Sequence, residues 1–271
     1  MIDLLTITNQ PELAKRCDQM PGMRLFVDLE RNGKAERQAG RNTFISMHQI
    51  DDVGRVKTVL RNSRLMVRVN PYQPDQPAAS RAEVDAVLAQ GADLLMLPMF
   101  STVQELRSFC EIVDGRVPIV PLLETVGALE SLEQWLDTPG LGEIFVGLND
   151  LHLAMGCRFM FEPLAQGHVD RVAAAARRRG LPIGFGGIAR ADEGLLPGRD
   201  VLGEHLRLGS RAVILSRTFN RPDGEQPFEG AVEALREAES TLALRNAAQI
   251  EADRVRVAAL INQLAQADQS A

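Results

Sequence analysis

Eight short apolar runs, separated by stretches with helical periodicity, constrain the fold of this chain more than any other sequence feature. Most are almost wholly apolar rather than alternating, which is typical of parallel strands buried on both faces. The runs are Asp3–Thr8, Arg24–Asp28, Leu65–Asn70, Asp93–Leu97, Pro118–Leu123, Glu143–Gly147, Leu181–Phe185 and Ala212–Leu215. A ninth run, Thr43–Met47, is short and flanked by polar residues, so we assign it to a long connection after the second strand. Eight such strands alternating with helices predict one α/β domain, a closed (β/α)8 TIM barrel, with an open doubly wound sheet as the alternative.

The length of the chain agrees with a barrel that carries an additional C-terminal segment. The chain has 271 residues, and barrels of this kind take roughly 250. We place the barrel at residues 1–225 and a helical extension at residues 226–271. No Gly or Pro interrupts Ala231–Gln263, so the extension is expected to form one or two helices. An amphipathic helix outside the barrel packs on its own barrel or on a neighbouring subunit, and we predict a homo-oligomer formed through these helices.

Composition excludes several classes of partner. The formal net charge is −6 and aromatic residues make up 4% of the chain, so general binding of nucleic acids or of anionic membranes is not expected. The three cysteines are widely spaced and form no CxxC pair, which disfavours a disulfide framework or a structural zinc site. The N-terminal residues lack a signal-peptide pattern, and no apolar run is long enough for a transmembrane helix. These features predict a soluble cytoplasmic protein.

Polar side chains cluster at the carboxyl ends of the predicted strands, where barrel enzymes build their active sites. They are Asp28 and Glu30, then Arg68 and Asn70, then Glu124, and then Asn149 and Asp150. Carboxylates that converge from separate strands repel one another unless a positive group lies between them, and a hard divalent cation is a common solution. Glu124 and Asp150 are the best pair of ligands, and two carboxylates suit Mg²⁺ or Mn²⁺ better than zinc. The alternatives are helix N-caps or a salt-bridge cluster with Arg68.

Five motifs in the same order resemble one enzyme family. They are Leu25-Phe-Val-Asp-Leu-Glu30, Val67-Arg-Val-Asn70, Gly91-Ala-Asp93 with Leu97-Pro98, Leu123-Glu-Thr125, and Phe145-Val-Gly-Leu-Asn-Asp-Leu151 with Met155-Gly156. Together they resemble the citrate lyase β-subunit / HpcH–HpaI aldolase family of the phosphoenolpyruvate/pyruvate superfamily. The resemblance extends over roughly residues 1–220.

The resemblance implies a metal-dependent carbon–carbon lyase or aldolase that acts on a small 2-oxo acid or an acyl thioester such as an acyl-CoA. It implies that Glu124 and Asp150 are the metal ligands and that Arg68 contacts the pyruvyl or acyl oxygen. A cation chelated by the substrate stabilises an enolate as a Lewis acid, and Arg68 adds a second positive contact. Asn149, Asp150 and the backbone N–H groups beside them are the expected contacts for the substrate carboxylate.

The chain departs from the family after the second strand, where Arg31 stands in place of the usual Asp or His. Neither Arg31 nor Arg68 can readily exchange a proton near neutral pH, because an arginine pKa exceeds about 12. We therefore predict that His48 is the acid–base residue, with Glu30 and a metal-bound water as rivals. The motif Leu97-Pro98-Met99 is closer to the aldolases than to the citrate lyases, which commonly have Lys at the third position.

Other functions are compatible with the same residues. A thioester hydrolase or a condensing enzyme of the citrate synthase type would also use a stabilised enolate. A barrel that has lost catalysis and serves as an assembly subunit is a third possibility, to which Arg31 gives weight. His168 and His205 fall in helical segments and are expected at the surface.

Overall fold

The computed structural model describes residues 1–33, 47–220 and 227–267. Its eight strands form a closed barrel in chain order, β1 to β8, and the neighbouring strands from β1 to β5 pair in parallel, as do β7 and β8. The predicted (β/α)8 barrel is therefore confirmed and the open sheet is excluded. The run Thr43–Met47, apart from Met47, lies outside the described residues.

The strands lie close to the predicted runs. Their bounds are β1 Asp3–Ile7, β2 Met23–Asp28, β3 Leu65–Arg68, β4 Leu94–Leu97, β5 Ile119–Leu123, β6 Ile144–Val146, β7 Ile183–Ile188 and β8 Ala212–Leu215. All residues of β2, β4, β5 and β6 are buried, as the apolar runs predicted. The register of β2 against β3 places Asp28 opposite Arg68, so the polar ends of these strands meet.

Strand β7 departs most from prediction, because it begins two residues later and ends three residues later than the run Leu181–Phe185. The register against β8 shifts between Gly184 and Gly187. Gly186 has a φ of 54°, and a Cβ there would lie 2.9 Å from the side chain of Leu148. Gly186 and Gly187 therefore belong to the strand, although the apolar run in the sequence ends at Phe185.

Twelve α-helices are described. They are α1 Pro11–Asp18, α2 Ile50–Lys57, α3 Pro77–Ala89, α4 Val103–Val113, α5 Val126–Glu130, α6 Leu132–Trp135, α7 Leu148–Ala154, α8 Glu162–Ala165, α9 His168–Arg178, α10 Gly198–Leu208, α11 Phe228–Leu242 and α12 Ala247–Ala267. A short 3₁₀ helix covers Arg217–Asn220. None of these helices is both long and apolar enough to cross a membrane.

Residue contacts divide the chain into two compact units. One is Asp3–Phe145, which holds β1 to β5 and helices α1 to α6. The other is Met1–Ile2 with Val146–Ala271, which holds β7, β8 and helices α7 to α12.

The C-terminal extension contains two helices. Phe228, Val232 and Leu235 of α11 are buried, and this helix contacts α10. Helix α12 buries Val257 and Ile261 and packs on α8 and α10. The predicted boundary at residue 225 falls outside the described residues and stays a prediction.

The expectation that His205 lies at the surface is wrong. Its side chain is fully buried in α10, and its ring stacks on Phe185 with 3.7 Å between ring centroids. Its Nδ1 lies 2.8 Å from the Ser210 hydroxyl. Burial lowers the pKa of His205 to about 3, because the charged imidazolium would lose its water there.

Candidate active site

The central feature of the candidate site is an ion pair between the last residues of β2 and β3. Arg68 donates from Nε to Asp28 Oδ1 at 2.9 Å and from Nη2 to Asp28 Oδ2 at 2.8 Å. Two parallel hydrogen bonds between charged groups fix both side chains in one orientation. The Arg68 guanidinium also lies over the Phe26 ring, 5.6 Å from its centroid.

Three carboxylates set the charge around Arg68. Its Nε lies 3.4 Å from Glu30 Oε2, and Asp28, Glu30 and Glu124 all act on it electrostatically. Burial alone would lower the pKa of Arg68, but these charges and the hydrogen bonds to Asp28 outweigh burial and raise it. Arg68 is therefore a permanent cation at the ends of these strands, and its side chain retains 14% exposure.

His48 lies next to this ion pair and is almost buried. Its Nδ1 accepts a hydrogen bond of 3.1 Å from the backbone N–H of Asp28. A backbone N–H can only donate, so the neutral imidazole carries its proton on Nε2. His48 is thus in the predicted site, where it presents Nε2–H as a donor.

Arg31, the residue that differs from the family resembled by the sequence, contacts both His48 and Asn70. Its Nη2 donates to the carbonyl oxygen of His48 at 2.7 Å, and its backbone N–H donates to Asn70 Oδ1 at 2.9 Å. Asn70 in turn donates to Glu83 Oε1 at 2.7 Å. Burial raises the pKa of Glu83, although the hydrogen bonds from Asn70 oppose this shift. Arg31 therefore helps to position His48.

The position of Glu83 follows from where helix α3 begins. Ser80 and Glu83 have the spacing of a capping box, but the helix begins at Pro77 with Gln76 as its N-cap. Proline favours the first helical position because it needs no N–H donor there. Glu83 lies inside the helix, where its side chain reaches Asn70.

Glu124 follows β5 directly and is 2% exposed. Its Oε1 accepts a hydrogen bond of 3.0 Å from the backbone N–H of Met99, which follows β4. Its charge acts on Arg68. The structure thus places Asp28, Glu30, Arg68 and Glu124 at the ends of β2, β3 and β5 within the unit Asp3–Phe145, with His48 bonded to the backbone of Asp28.

Asn149 and Asp150 belong to the unit that contains Val146–Ala271. Both lie in the first turn of α7 and are half-buried. His152 of the same helix is buried, and its Nδ1 lies 3.1 Å from the Leu148 carbonyl oxygen. Among residues 1–33, 47–220 and 227–267, no group of three or more His, Cys, Asp or Glu side chains is arranged to hold a metal ion.

One alternative from the sequence, a salt-bridge cluster with Arg68, is present with Asp28 and Glu30. The strand register identifies Asp28 as the bidentate partner. One contributor to the site was not predicted. Met99 contributes a backbone N–H, and because nearly every residue type has one, the sequence gives no indication of this contact. The unusual φ of Met99, 58°, is visible only in the structure.

Comparisons with known proteins identify structural but not sequence relatives. No family model matches the chain, and no curated protein matches it by sequence.

Several solved structures share the fold at low sequence identity. A HpcH/HpaI aldolase/citrate lyase family protein from Burkholderia cenocepacia J2315 superposes with a TM-score of 0.63 at 16% identity, covering 87% of this chain and 93% of that one. A citrate lyase β subunit from M. tuberculosis, described as complexed with oxaloacetate and magnesium, gives 0.58 at 15% identity, over 88% and 96% of the two chains. The citrate synthase SbnG gives 0.60 at 11% identity, over 89% and 94%. The family that the sequence motifs resemble is therefore also found among the proteins that share the fold.

Proposed function

We propose that this chain is a carbon–carbon lyase that acts on a small 2-oxo acid or an acyl thioester and uses Mg²⁺ or Mn²⁺. The observation that supports it best is the half-buried Arg68 guanidinium at the end of β3, which is held by Asp28 and on which the charge of Glu124, at the end of β5, also acts. The similarity to aldolase and citrate lyase structures agrees with this chemistry.

Arg68 is the proposed contact for the substrate oxygen that gains negative charge. Its Nε and Nη2 are occupied by Asp28, whereas Nη1 has no hydrogen bond to the described residues. Because Asp28 fixes the guanidinium plane, Nη1 is oriented before the substrate arrives. A donor that needs no reorganisation stabilises developing charge more effectively than a mobile one.

Glu124 and Asp150 are the residues that would hold the cation. Both supply carboxylate oxygens, the donors that hard divalent ions prefer, and Mg²⁺ is usually held by one or two carboxylates with water and substrate in the other positions. The donor set therefore fits the metal. When bound, the cation supplies positive charge that stabilises an enolate oxygen.

The remaining site residues have proposed roles in proton movement and substrate binding. His48 is the proposed acid–base residue and, with its proton on Nε2, is positioned to donate a hydrogen bond; Glu30 is the alternative. The backbone N–H groups of Asn149 and Asp150, at the start of α7, are the proposed donors to the substrate carboxylate.

Exchange of the pyruvate methyl protons in D₂O with Mg²⁺, followed by proton NMR, tests this function. We expect exchange by the wild-type protein and a loss of about 10²- to 10³-fold in Arg68→Met, the scale seen when an oxyanion donor is removed. Glu124→Gln and Asp150→Asn should each abolish metal-dependent exchange and weaken Mn²⁺ binding by at least about 10-fold. Glu133→Gln changes an exposed carboxylate and is the matched control.

Two outcomes would contradict the proposal. Full exchange in Glu124→Gln without bound metal would remove Glu124 and the cation from the reaction. A wild-type protein that neither binds Mn²⁺ nor exchanges pyruvate protons would instead support a barrel without catalysis.

A condensing reaction is the second candidate, favoured by the similarity to citrate synthase SbnG. It would use the same enolate but form a bond to an oxo acid and release coenzyme A. Incubation with acetyl-CoA and oxaloacetate separates the two, because condensation releases a free thiol whereas cleavage of a 2-oxo acid does not. Thiol release that required oxaloacetate would favour condensation over thioester hydrolysis.

A further inference from the structure

The turn after β4 contains an unusual backbone conformation. Met99 has a φ of 58°, in the left-handed region that side chains other than glycine rarely adopt. Among the described residues, Asp114 is the only other non-glycine residue with a positive φ, and it forms the C-cap of α4, where this conformation is common. Met99 caps no helix, so its conformation needs another explanation.

The backbone N–H of Met99 donates to Glu124 Oε1 at 3.0 Å. The next residue, Phe100, accepts a hydrogen bond of 2.7 Å from the Thr125 hydroxyl. Two consecutive residues after β4 thus contact two consecutive residues after β5.

A third contact brings the two turns still closer together. A Cβ on Gly127 would lie 2.3 Å from the carbonyl oxygen of Ser101. This is closer than van der Waals contact allows, so a side chain here would force the backbone to shift. Ser101 is held from the other side, because its N–H donates to Glu105 Oε2 at 2.7 Å within the capping box of α4.

The side chain of Phe100 locks the same pair of turns. It is 2% exposed and makes an edge-to-face contact with Trp135, with ring centroids 5.4 Å apart. The Trp135 indole N–H donates to the Ala128 carbonyl oxygen at 2.8 Å in α5, the helix that Thr125 caps. The turn that carries Met99 therefore cannot shift without disturbing the turn that carries Glu124.

We propose that Met99 is a positioning residue, whose left-handed backbone fixes the Glu124 carboxylate in the orientation that binds a divalent cation. This inference rests on the proposed function, in which Glu124 is a metal ligand. A hydrogen bond from a fixed backbone donor restricts the carboxylate to one rotamer. The side chain therefore loses less conformational freedom when the cation binds. The side chain of Met99 plays no part, because the backbone makes the contact.

The test compares Mn²⁺ affinity, measured by titration calorimetry, with thermal stability in a set of variants. Met99→Val introduces a β-branched residue that resists a positive φ, and we expect Mn²⁺ affinity to fall about 10-fold. Met99→Gly keeps the left-handed backbone without strain and should bind within about 2-fold of the wild type. Asp114→Val places the same strain at a helix end away from Glu124, and should lower the melting temperature but not Mn²⁺ affinity.

Each result bears on a different part of the inference. Wild-type affinity in Met99→Val, with a loss in Glu124→Gln, would overturn the role of Met99 and leave the metal site intact. Unchanged affinity in Glu124→Gln would overturn the metal site itself. A loss in Met99→Gly equal to that in Met99→Val would assign the effect to the side chain and also overturn the inference. If Met99→Val does not fold, the isosteric Thr125→Val breaks the second contact, and wild-type Mn²⁺ affinity in that variant would overturn it.

Discussion

His205 is a neutral histidine enclosed in the core, and its burial links stability to pH. Its pKa is lowered to about 3 in the folded protein, whereas in the unfolded chain it is about 6.5. The unfolded chain therefore binds a proton that the folded protein does not, and the free energy of unfolding falls as pH decreases from about 6.5 to about 3. The slope reaches about 1.4 kcal/mol per pH unit for one group.

We predict that His205→Gln reduces this acid sensitivity, because no titratable group remains in the cavity. Urea unfolding at pH 7, 6 and 5 measures the change, and His168→Gln, at a half-buried position in α9, is the control. Equal pH dependence in wild type and His205→Gln would show that other groups cause the acid sensitivity.

His48 stays a predicted acid–base residue. Because Nδ1 accepts a hydrogen bond from the Asp28 N–H, Nε2 is the ring nitrogen that carries the proton and can donate. We predict that His48→Ala lowers turnover of pyruvate proton exchange by about 10²-fold, the scale of general acid–base catalysis, and leaves Mn²⁺ affinity nearly unchanged. Unchanged turnover and an unchanged pH profile would transfer the role to Glu30 or to water.

At the scale of single residues, side-chain chemistry and the possibility of a salt-bridge cluster with Arg68 were predictable, whereas the specific bidentate partner was not. Arg68 and Glu124 were placed correctly at strand ends, because polar residues after apolar runs mark the ends of buried strands. The pairing of Arg68 with Asp28 depends on strand register, and the contact to Glu124 comes from a backbone N–H. The burial of His205 was predicted wrongly, because the residue type alone does not indicate whether a histidine in a helix faces the core or the solvent.

At the scale of elements, the start of α5 depends on a glycine. We predict that Gly127→Ala lowers the free energy of unfolding by about 1–3 kcal/mol, the usual cost of overpacking, since its Cβ would collide with the Ser101 carbonyl. Gly54→Ala in α2 is the matched control, because the nearest atom there is the end of the flexible Gln90 side chain. This control should be neutral or more stable by up to about 1 kcal/mol, because alanine favours helix.

Urea unfolding of both variants measures these changes. A Gly127→Ala protein as stable as the control would mean that the backbone near Ser101 adjusts easily. It would also mean that the turns after β4 and β5 can move independently.

Elements were predicted best where one physical effect dominates. Strand β8 has its predicted bounds, Ala212–Leu215, since an apolar run between polar residues leaves little choice. Strand β7 was misjudged, because its glycines set the strand boundary through backbone conformation rather than through hydrophobic pattern.

At the scale of the whole molecule, the C-terminal helices are the proposed oligomer contact. Helix α11 is packed on its own chain through Phe228, Val232 and Leu235. Leu244, which precedes α12, and Val255 within it are 86% and 54% exposed. We predict that removing residues 247–271 lowers the number of chains per particle in light scattering.

The double variant Leu244→Glu/Val255→Glu provides a sharper test, because it leaves the buried residues of α12 in place. It should also lower the particle mass, without a loss of helical signal in circular dichroism. Removal of residues 268–271 alone is the control and should change nothing. The same mass for all four proteins would contradict an interface through these helices.

The first residues of the chain are tied to α11. The Ile2 N–H donates to Glu239 Oε1 at 2.8 Å, and Arg236 Nη1 donates to the Ile2 carbonyl oxygen at 2.7 Å. The first of these bonds joins residues separated by 237 positions. At synthesis rates of about 5–20 residues per second, the N-terminus waits roughly 12 to 50 seconds for its partners to leave the ribosome. During translation Ile2 therefore lacks both partners, and a nascent chain halted before residue 236 leaves this position open to chaperones and proteases.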